Sequence, residues 1–98
     1  MGTGKALQTL ETIRMIKELF PRINTVVCLS AVSFGLPGRR LINRTFLPLL
    51  IEAGVDAIFL DPLDEALMTT LRASNALLEK DESCLEYIKT FREGKLKI

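Results

Sequence analysis

Residues 29–46 read LSAVSFGLPGRRLINRTF, and the rest of the fold can be inferred outward from them. The stretch begins at the end of an apolar segment and passes through a loop that holds two glycines and a proline. It then enters a helix behind Arg39 and Arg40. Loops that follow a strand and lead directly into a helix are where α/β proteins place their ligands. We therefore expect any functional site of this chain to lie here.

Two short apolar runs predict the strands. Residues 25–30, TVVCLS, and residues 55–60, VDAIFL, are apolar on both faces and contain β-branched residues. This pattern is typical of strands buried on both sides in a parallel sheet. Cys28 is accordingly expected to be buried.

Apolar residues at spacings of three and four predict the helices. The first covers about residues 3–20, the second about 37–53, the third about 62–78, and a short last helix begins near residue 85. Pro48 is expected to kink or break the second helix, because it removes a backbone hydrogen bond. The residues predicted to face the core are Leu7, Leu10, Ile13, Ile16 and Phe20, then Ile42, Phe46, Leu49 and Ala53, then Leu63, Leu67, Leu71 and Leu78, and finally Leu85, Ile88 and Phe91.

The order α-β-α-β-α-α predicts an α/β fold with parallel strands joined by right-handed crossovers. Two parallel strands do not form a stable sheet alone. The chain is therefore expected to be part of a larger sheet. One explanation is a partial (β/α)8 TIM barrel, which takes about 250 residues; the other is assembly of a homo-oligomer whose copies supply each other's missing strands.

Composition narrows the function classes. The chain has 98 residues, a net charge of +1, two cysteines and no histidine. The near-neutral charge gives no support for a nucleic acid or an anionic membrane as partner, and no apolar run is long enough for a membrane span. The absence of histidine makes zinc chemistry and Ser-His catalysis within this chain unexpected. Two cysteines in apolar settings are typical of a reduced, cytoplasmic protein.

The motifs LS-x-VS, the loop to Arg39, and LINRTF, followed by EAGVDAIFLDPLDEAL at residues 52–67, resemble the C-terminal part of methyltetrahydrofolate:corrinoid protein methyltransferases. These belong to the pterin-binding barrels, with dihydropteroate synthases and the folate domain of cobalamin-dependent methionine synthase. The resemblance runs from the first helix to about Leu78. It implies that residues 1–98 are the C-terminal part of such a barrel domain, with 26–30 as its seventh strand and 56–60 as its eighth. Strands one to six, which carry the family's acidic pterin-binding residues, lie outside this sequence.

The resemblance also implies a function. The parent would be a one-carbon enzyme that moves the N5 methyl group of methyltetrahydrofolate, its substrate, to a corrinoid (cobalamin) carried by a partner protein. No metal would be bound by this chain, and the isolated chain is expected to be inactive.

Site residues follow from the same resemblance. Ser30, Ser33 and Phe34 match positions that line the pterin pocket, and Arg39 matches the arginine near the benzoate and glutamate end of the folate. Ala31 stands where the family has an asparagine that reaches the pterin near the methyl-bearing nitrogen. Alanine has no donor or acceptor, so that catalytic role is lost; natural divergence and an engineered substitution are both open. Losing one such polar group costs roughly a hundredfold to a thousandfold in rate.

Each of these residues also has a simpler interpretation. Arg39 and Arg40 begin a helix, where the dipole disfavours cations, so either a bound carboxylate or phosphate or a surface ion pair is expected beside them. Asp61, at the carboxyl end of the second strand, is either a substrate contact or a helix cap, with Asp64 as the other candidate cap. Serines at a strand end commonly form turns, and a phenylalanine there commonly packs in the core.

Two other functions stay open at this point. The open apolar edges of the strands suggest a non-catalytic, self-assembling βα scaffold. A generic phosphate-binding βα unit is the third possibility, because barrels often place phosphate after strands seven and eight.

Overall fold

A computed structural model describes the backbone of residues 2–98 and the side chains of residues 5–98. In chain order it contains α1 (Gly2–Leu19), β1 (Val26–Cys28), a 3₁₀ helix (Leu29–Ser33), α2 (Arg39–Ala53), β2 (Ala57–Phe59), α3 (Glu65–Leu77), a 3₁₀ turn (Glu82–Cys84) and α4 (Leu85–Arg92). The predicted α/β order α-β-α-β-α-α is confirmed. The chain divides into two compact units, residues up to 60 and residues 61–98, and each is described by itself.

The two strands pair in parallel, as predicted. Val26 lies opposite Ala57, Val27 opposite Ile58, and Cys28 opposite Phe59. The carboxyl ends of both strands therefore meet at one edge of the sheet. The 3₁₀ helix begins at that edge, directly after Cys28.

The expectation that the strands are buried on both faces is wrong for this chain. Val26 is 57% exposed and Phe59 is 70% exposed, and the Cys28 side chain is exposed rather than buried. Val27 and Ile58, at the middle of each strand, are half-buried. Because side chains alternate along a strand, one face of the sheet has cover and the other has none within residues 2–60. Each strand is also three residues long rather than six.

The core of the first unit lies between α1, α2 and the 3₁₀ helix. Its buried apolar residues are Leu10, Ile13, Leu29, Val32, Phe46, Leu47, Leu50 and Ala53. Leu7, Phe20 and Leu49 were predicted to be buried but are exposed. In α2 the buried face passes through Leu47 and Leu50, which are both fully buried. The helix continues through Pro48, so the break considered there is excluded. Burial of neighbouring turns on both sides of the proline holds the helix together.

The second unit contains two helices with carboxylate caps. The Asp64 carboxylate accepts a hydrogen bond from the Leu67 backbone N–H at 3.1 Å and so caps α3. The Asp81 carboxylate accepts the backbone N–H groups of Glu86 and Tyr87 at 3.0 and 2.9 Å, at the start of α4. These bonds satisfy N–H groups that a helix leaves without partners in its first turn.

The apolar faces of this unit are less buried than predicted. Leu67 is buried, but Leu63, Leu85, Ile88 and Phe91 are 86%, 63%, 40% and 57% exposed. The prediction that the last three face inward is therefore wrong for this chain. The helical spacing is correct, but within residues 61–98 nothing covers that face.

Candidate functional site

The candidate site is built by residues 29–39, which we call the corner segment. It starts at the carboxyl end of β1, and the buried side chains of Leu29 and Val32 hold its 3₁₀ helix against the core. The Leu36 backbone N–H donates to the Ser33 carbonyl at 2.9 Å and closes the next turn. Gly38 then adopts a left-handed conformation, φ 64° and ψ 41°, which turns the chain into α2. The Gly38 carbonyl accepts the Leu41 and Ile42 N–H groups of that helix.

Arg39 reaches back from the start of α2 and binds the corner segment. Its Nε donates to Ser33 Oγ at 3.0 Å, and its Nη2 donates to the Ser30 carbonyl oxygen at 2.9 Å. The guanidinium carbon lies 5.9 Å from the centroid of the Phe34 ring, within the range of a cation–π interaction. Four residues that the resemblance singled out, Ser30, Ser33, Phe34 and Arg39, are thus brought together.

Part of the Arg39 guanidinium is still available. A guanidinium carries five N–H donors, and the two bonds above use its Nε/Nη2 edge. Among the described residues, no hydrogen bond reaches Nη1 and no carboxylate lies within 4.0 Å of Arg39. The end-on pair, one N–H on Nη1 and one on Nη2, is therefore free to donate to a carboxylate in the bidentate geometry that suits this group.

The other side chains of the site differ in how much of their surface is exposed. Phe34 is 77% exposed and presents a ring beside the guanidinium, whereas Ser33 is 0% exposed. The substrate contact predicted for Ser33 stays a prediction; in the structure its hydroxyl donates to the Ser30 carbonyl oxygen and accepts from Arg39 Nε. Ala31 is exposed, and its methyl group offers no hydrogen bond. Ser30 is exposed too, with its Oγ 3.6 Å from Cys28 Sγ.

Asp61 belongs to the second unit and shapes the turn before α3. Its carboxylate accepts the Leu63 N–H at 2.9 Å, and its backbone carbonyl accepts the Asp64 N–H at 3.2 Å. Asp64 is the cap of α3, so of the two capping candidates the second is correct. The role of Asp61 as a substrate contact stays a prediction.

An electrostatic cluster around Asp56 lies at the other end of the sheet. Asp56 Oδ2 accepts hydrogen bonds from Lys17 Nζ at 2.7 Å and from the Thr25 backbone N–H at 2.7 Å. The Lys17 bond first, and then the Thr25 bond, hold the pKa of Asp56 below its ordinary value. The cluster ties α1 to the amino ends of both strands, so we interpret it as structural. The sequence feature that could have indicated this cluster is the carboxylate of Asp56 within the apolar run VDAIFL.

Three further observations concern Asn43, metal binding and membrane-spanning helices. In the described part of the chain, the Asn43 side-chain oxygen is buried without a hydrogen-bond partner. No group of three or more His, Cys, Asp or Glu residues among those described is arranged to hold a metal ion. No helix within residues 2–98 is both long enough and apolar enough to cross a membrane.

Comparison with known proteins adds two relatives. The chain is 40% identical over 84 residues to the methylcorrinoid:tetrahydrofolate methyltransferase of Eubacterium limosum, covering 86% of this chain and 31% of that protein. It is 40% identical over 53 residues to the methionine synthase of Mycobacterium tuberculosis (strain ATCC 25618 / H37Rv), covering 52% of this chain and 4% of that protein. The chain thus spans about a third of the length of the first relative. No family model matches the chain.

Proposed function

We propose that this chain supplies the corner of the folate pocket that holds the tail of methyltetrahydrofolate. The chain is related to the methyltetrahydrofolate:corrinoid methyltransferases. It also has the α/β pattern of a partial pterin-binding barrel. The observation that carries the proposal is the arrangement of Arg39. The guanidinium is fixed along its Nε/Nη2 edge by Ser33 and Ser30, and its end-on pair of donors is free beside the exposed Phe34 ring. A cation and an aromatic face side by side suit a benzoyl group that carries carboxylates.

The proposed role in the reaction is binding and orientation. Arg39 holds the anionic tail and Phe34 packs against the benzoyl ring. The exposed Ser30 and Asp61 are proposed as further contacts to the substrate. A corrinoid carried by a partner protein would supply the cobalt nucleophile that receives the N5 methyl group, with tetrahydrofolate as the leaving group. The name of the first relative describes methyl transfer from the methylcorrinoid to tetrahydrofolate. The forward and reverse methyl transfers pass through the same transition state, so the same pocket can bind the folate in either direction.

Ala31 limits the catalytic contribution that this chain can make to methyl transfer. Charge changes at N5 as the methyl bond breaks, and a positioned donor there lowers the barrier. The Ala31 methyl group cannot be that donor. Because the chain also spans only 31% of the length of the first relative, we expect no detectable methyl transfer when this chain alone is mixed with methyltetrahydrofolate and a reduced corrinoid protein. Turnover in that assay, followed by the absorbance change of the corrinoid, would contradict the proposal.

Calorimetric titration with methyltetrahydrofolate tests the binding role. A hydrogen-bonded ion pair with a carboxylate is worth roughly 1.5–3 kcal/mol, so Arg39→Ala should weaken binding by about tenfold to a hundredfold. Arg40→Ala is the matched control, because Arg40 is the adjacent exposed arginine and makes no hydrogen bond or ion pair among the described residues. Equal loss in both variants would show that only general positive charge matters, and would overturn the assignment to Arg39.

A second candidate function rests on a different observation. Val26 and Phe59 expose apolar side chains on a sheet of only two strands. Parallel sheets of this kind are normally covered on both faces. A non-catalytic scaffold that assembles from copies of this chain would cover them. It would show oligomers in light scattering and no heat of binding with methyltetrahydrofolate.

A further inference from the structure

The Ser33 hydroxyl has a fixed role in the corner segment. It is buried at 0% exposure, it donates to the Ser30 carbonyl at 3.1 Å, and it lies 3.0 Å from Arg39 Nε. A hydroxyl has one hydrogen to donate and two lone pairs. Because its hydrogen points to Ser30, its lone pair faces Arg39, which can only donate.

Ser33 and Ser30 together determine the orientation of the guanidinium. The Nε–H of Arg39 ends on Ser33 Oγ, and one Nη2–H ends on the Ser30 carbonyl. Two parallel bonds on one edge of a planar group fix both its position and its plane. The free pair of donors then points away from the corner segment.

We propose that Ser33 is a positioning residue that acts on the ligand through Arg39, by holding the guanidinium in the plane that receives the carboxylate. The inference rests on the proposed function of Arg39 as the carboxylate-binding residue. In this role Ser33 need not touch the ligand, because its side chain has no exposed surface. Because the orientation of Arg39 is already set in the free protein, Arg39 loses less side-chain entropy on ligand binding than an unrestrained arginine would.

Two measurements on the full chain test this role. In ¹H–¹⁵N spectra, the Arg39 Nε–H resonance should be slow to exchange in the wild type and should lose that protection in Ser33→Ala. In calorimetry, Ser33→Ala should weaken methyltetrahydrofolate binding by roughly threefold to tenfold, the range expected for one hydrogen bond. Ser33→Ala keeps Arg39 and its charge, so a loss of binding reports the orientation of the guanidinium.

Ser30→Ala is the matched control. Arg39 contacts the backbone carbonyl of Ser30, whereas the Ser30 hydroxyl lies near Cys28 Sγ. Removing that hydroxyl should leave the protection of the Arg39 Nε–H unchanged. Loss of protection in Ser30→Ala as large as in Ser33→Ala would overturn the proposal.

The proposed function and the positioning role of Ser33 would be contradicted by different results. Absence of methyltetrahydrofolate binding by the wild type would contradict the proposed function, while the exchange measurement would still decide whether Ser33 orients Arg39. Unchanged protection in Ser33→Ala would overturn the positioning role whatever the ligand does. Should Ser33→Ala not fold, Arg39→Lys replaces it: lysine keeps the charge but has no Nε–H for Ser33. Binding by Arg39→Lys equal to that of the wild type would then contradict the proposal.

Discussion

At the scale of single residues, Arg39 combines an unfavourable position with several compensating contacts. A cation in the first turn of a helix is destabilised by the dipole, by about 0.3–1 kcal/mol. Arg39 offsets this with hydrogen bonds to Ser33 Oγ and the Ser30 carbonyl and with the nearby Phe34 ring. The net result is a guanidinium whose remaining donors face outward. The proposed binding of a carboxylate rests on these donors.

The sequence indicated the members of this cluster, but not their contacts. The motif resemblance pointed to Ser30, Ser33, Phe34 and Arg39. It could not distinguish the buried Ser33 from the exposed Ser30, because both lie in a non-repeating segment where no periodicity reports burial. The Lys17–Asp56 contact was also missed, since it joins residues 39 positions apart in the chain.

Asp56 gives a prediction about pH. Its pKa is lowered from an ordinary value of 3.8, so the folded state favours the carboxylate more than the unfolded state does. The stabilisation is complete above pH 3.8 and is lost as the pH falls through the lower pKa of the folded state. Asp56→Asn should therefore have a lower melting temperature than the wild type at pH 7, and the difference should shrink on acidification below about pH 4.

Thermal unfolding followed by circular dichroism at several pH values measures this difference. Glu18→Gln is the control, because Glu18 is exposed on α1 and makes no hydrogen bond or ion pair in the described part of the chain. A gap between Asp56→Asn and the wild type that stays constant from pH 7 to pH 2 would contradict the assignment.

At the scale of elements, the identity of each helix and strand follows from local patterns, whereas their exposure does not. Spacing of three and four residues is a local property and correctly predicts α1 to α4. Whether Leu85, Ile88 or Phe91 is buried depends on what lies against α4, which the sequence of α4 does not contain. The strands were predicted too long for a related reason: a strand continues only where a neighbour supplies hydrogen bonds.

The turn from the corner segment into α2 gives a prediction at this scale. Gly38 has φ +64°, and a Cβ placed there would meet nothing within 4 Å. The cost of Gly38→Ala is therefore conformational, roughly 1 kcal/mol for a left-handed residue with a side chain. Gly38→Asn should cost less, because asparagine tolerates this conformation. Denaturant unfolding measures both, and equal stability of Gly38→Ala and the wild type would be the contrary result.

At the scale of the whole molecule, the feature that matters is an uncovered sheet. Val26, Phe34 and Phe59 expose large apolar surfaces in the first unit, and the sheet has only two strands. Such exposure is expected from the sequence, since two apolar parallel strands cannot cover each other. The chain spans 31% of its methyltransferase relative, and the further strands of a complete barrel would cover the strand residues Val26 and Phe59.

This surface predicts association when the chain is studied alone. The average mass from light scattering should rise with concentration, and Phe59→Glu should lower it, because a charge cannot be buried unpaired in an apolar contact. Leu63→Glu is the control; Leu63 is 86% exposed but lies outside the sheet, so its replacement should leave the mass unchanged. A wild-type chain that remains monomeric at high concentration would contradict the prediction.

The most direct test of the central claim is a binding cycle on the tail of the folate. Wild type and Arg39→Ala are each titrated with methyltetrahydrofolate and with a methyltetrahydropterin that lacks the benzoylglutamate tail. If Arg39 holds the tail, its removal should weaken binding of the first ligand by about tenfold or more and leave binding of the second unchanged. Equal effects on both ligands, or no effect on either, would contradict the account.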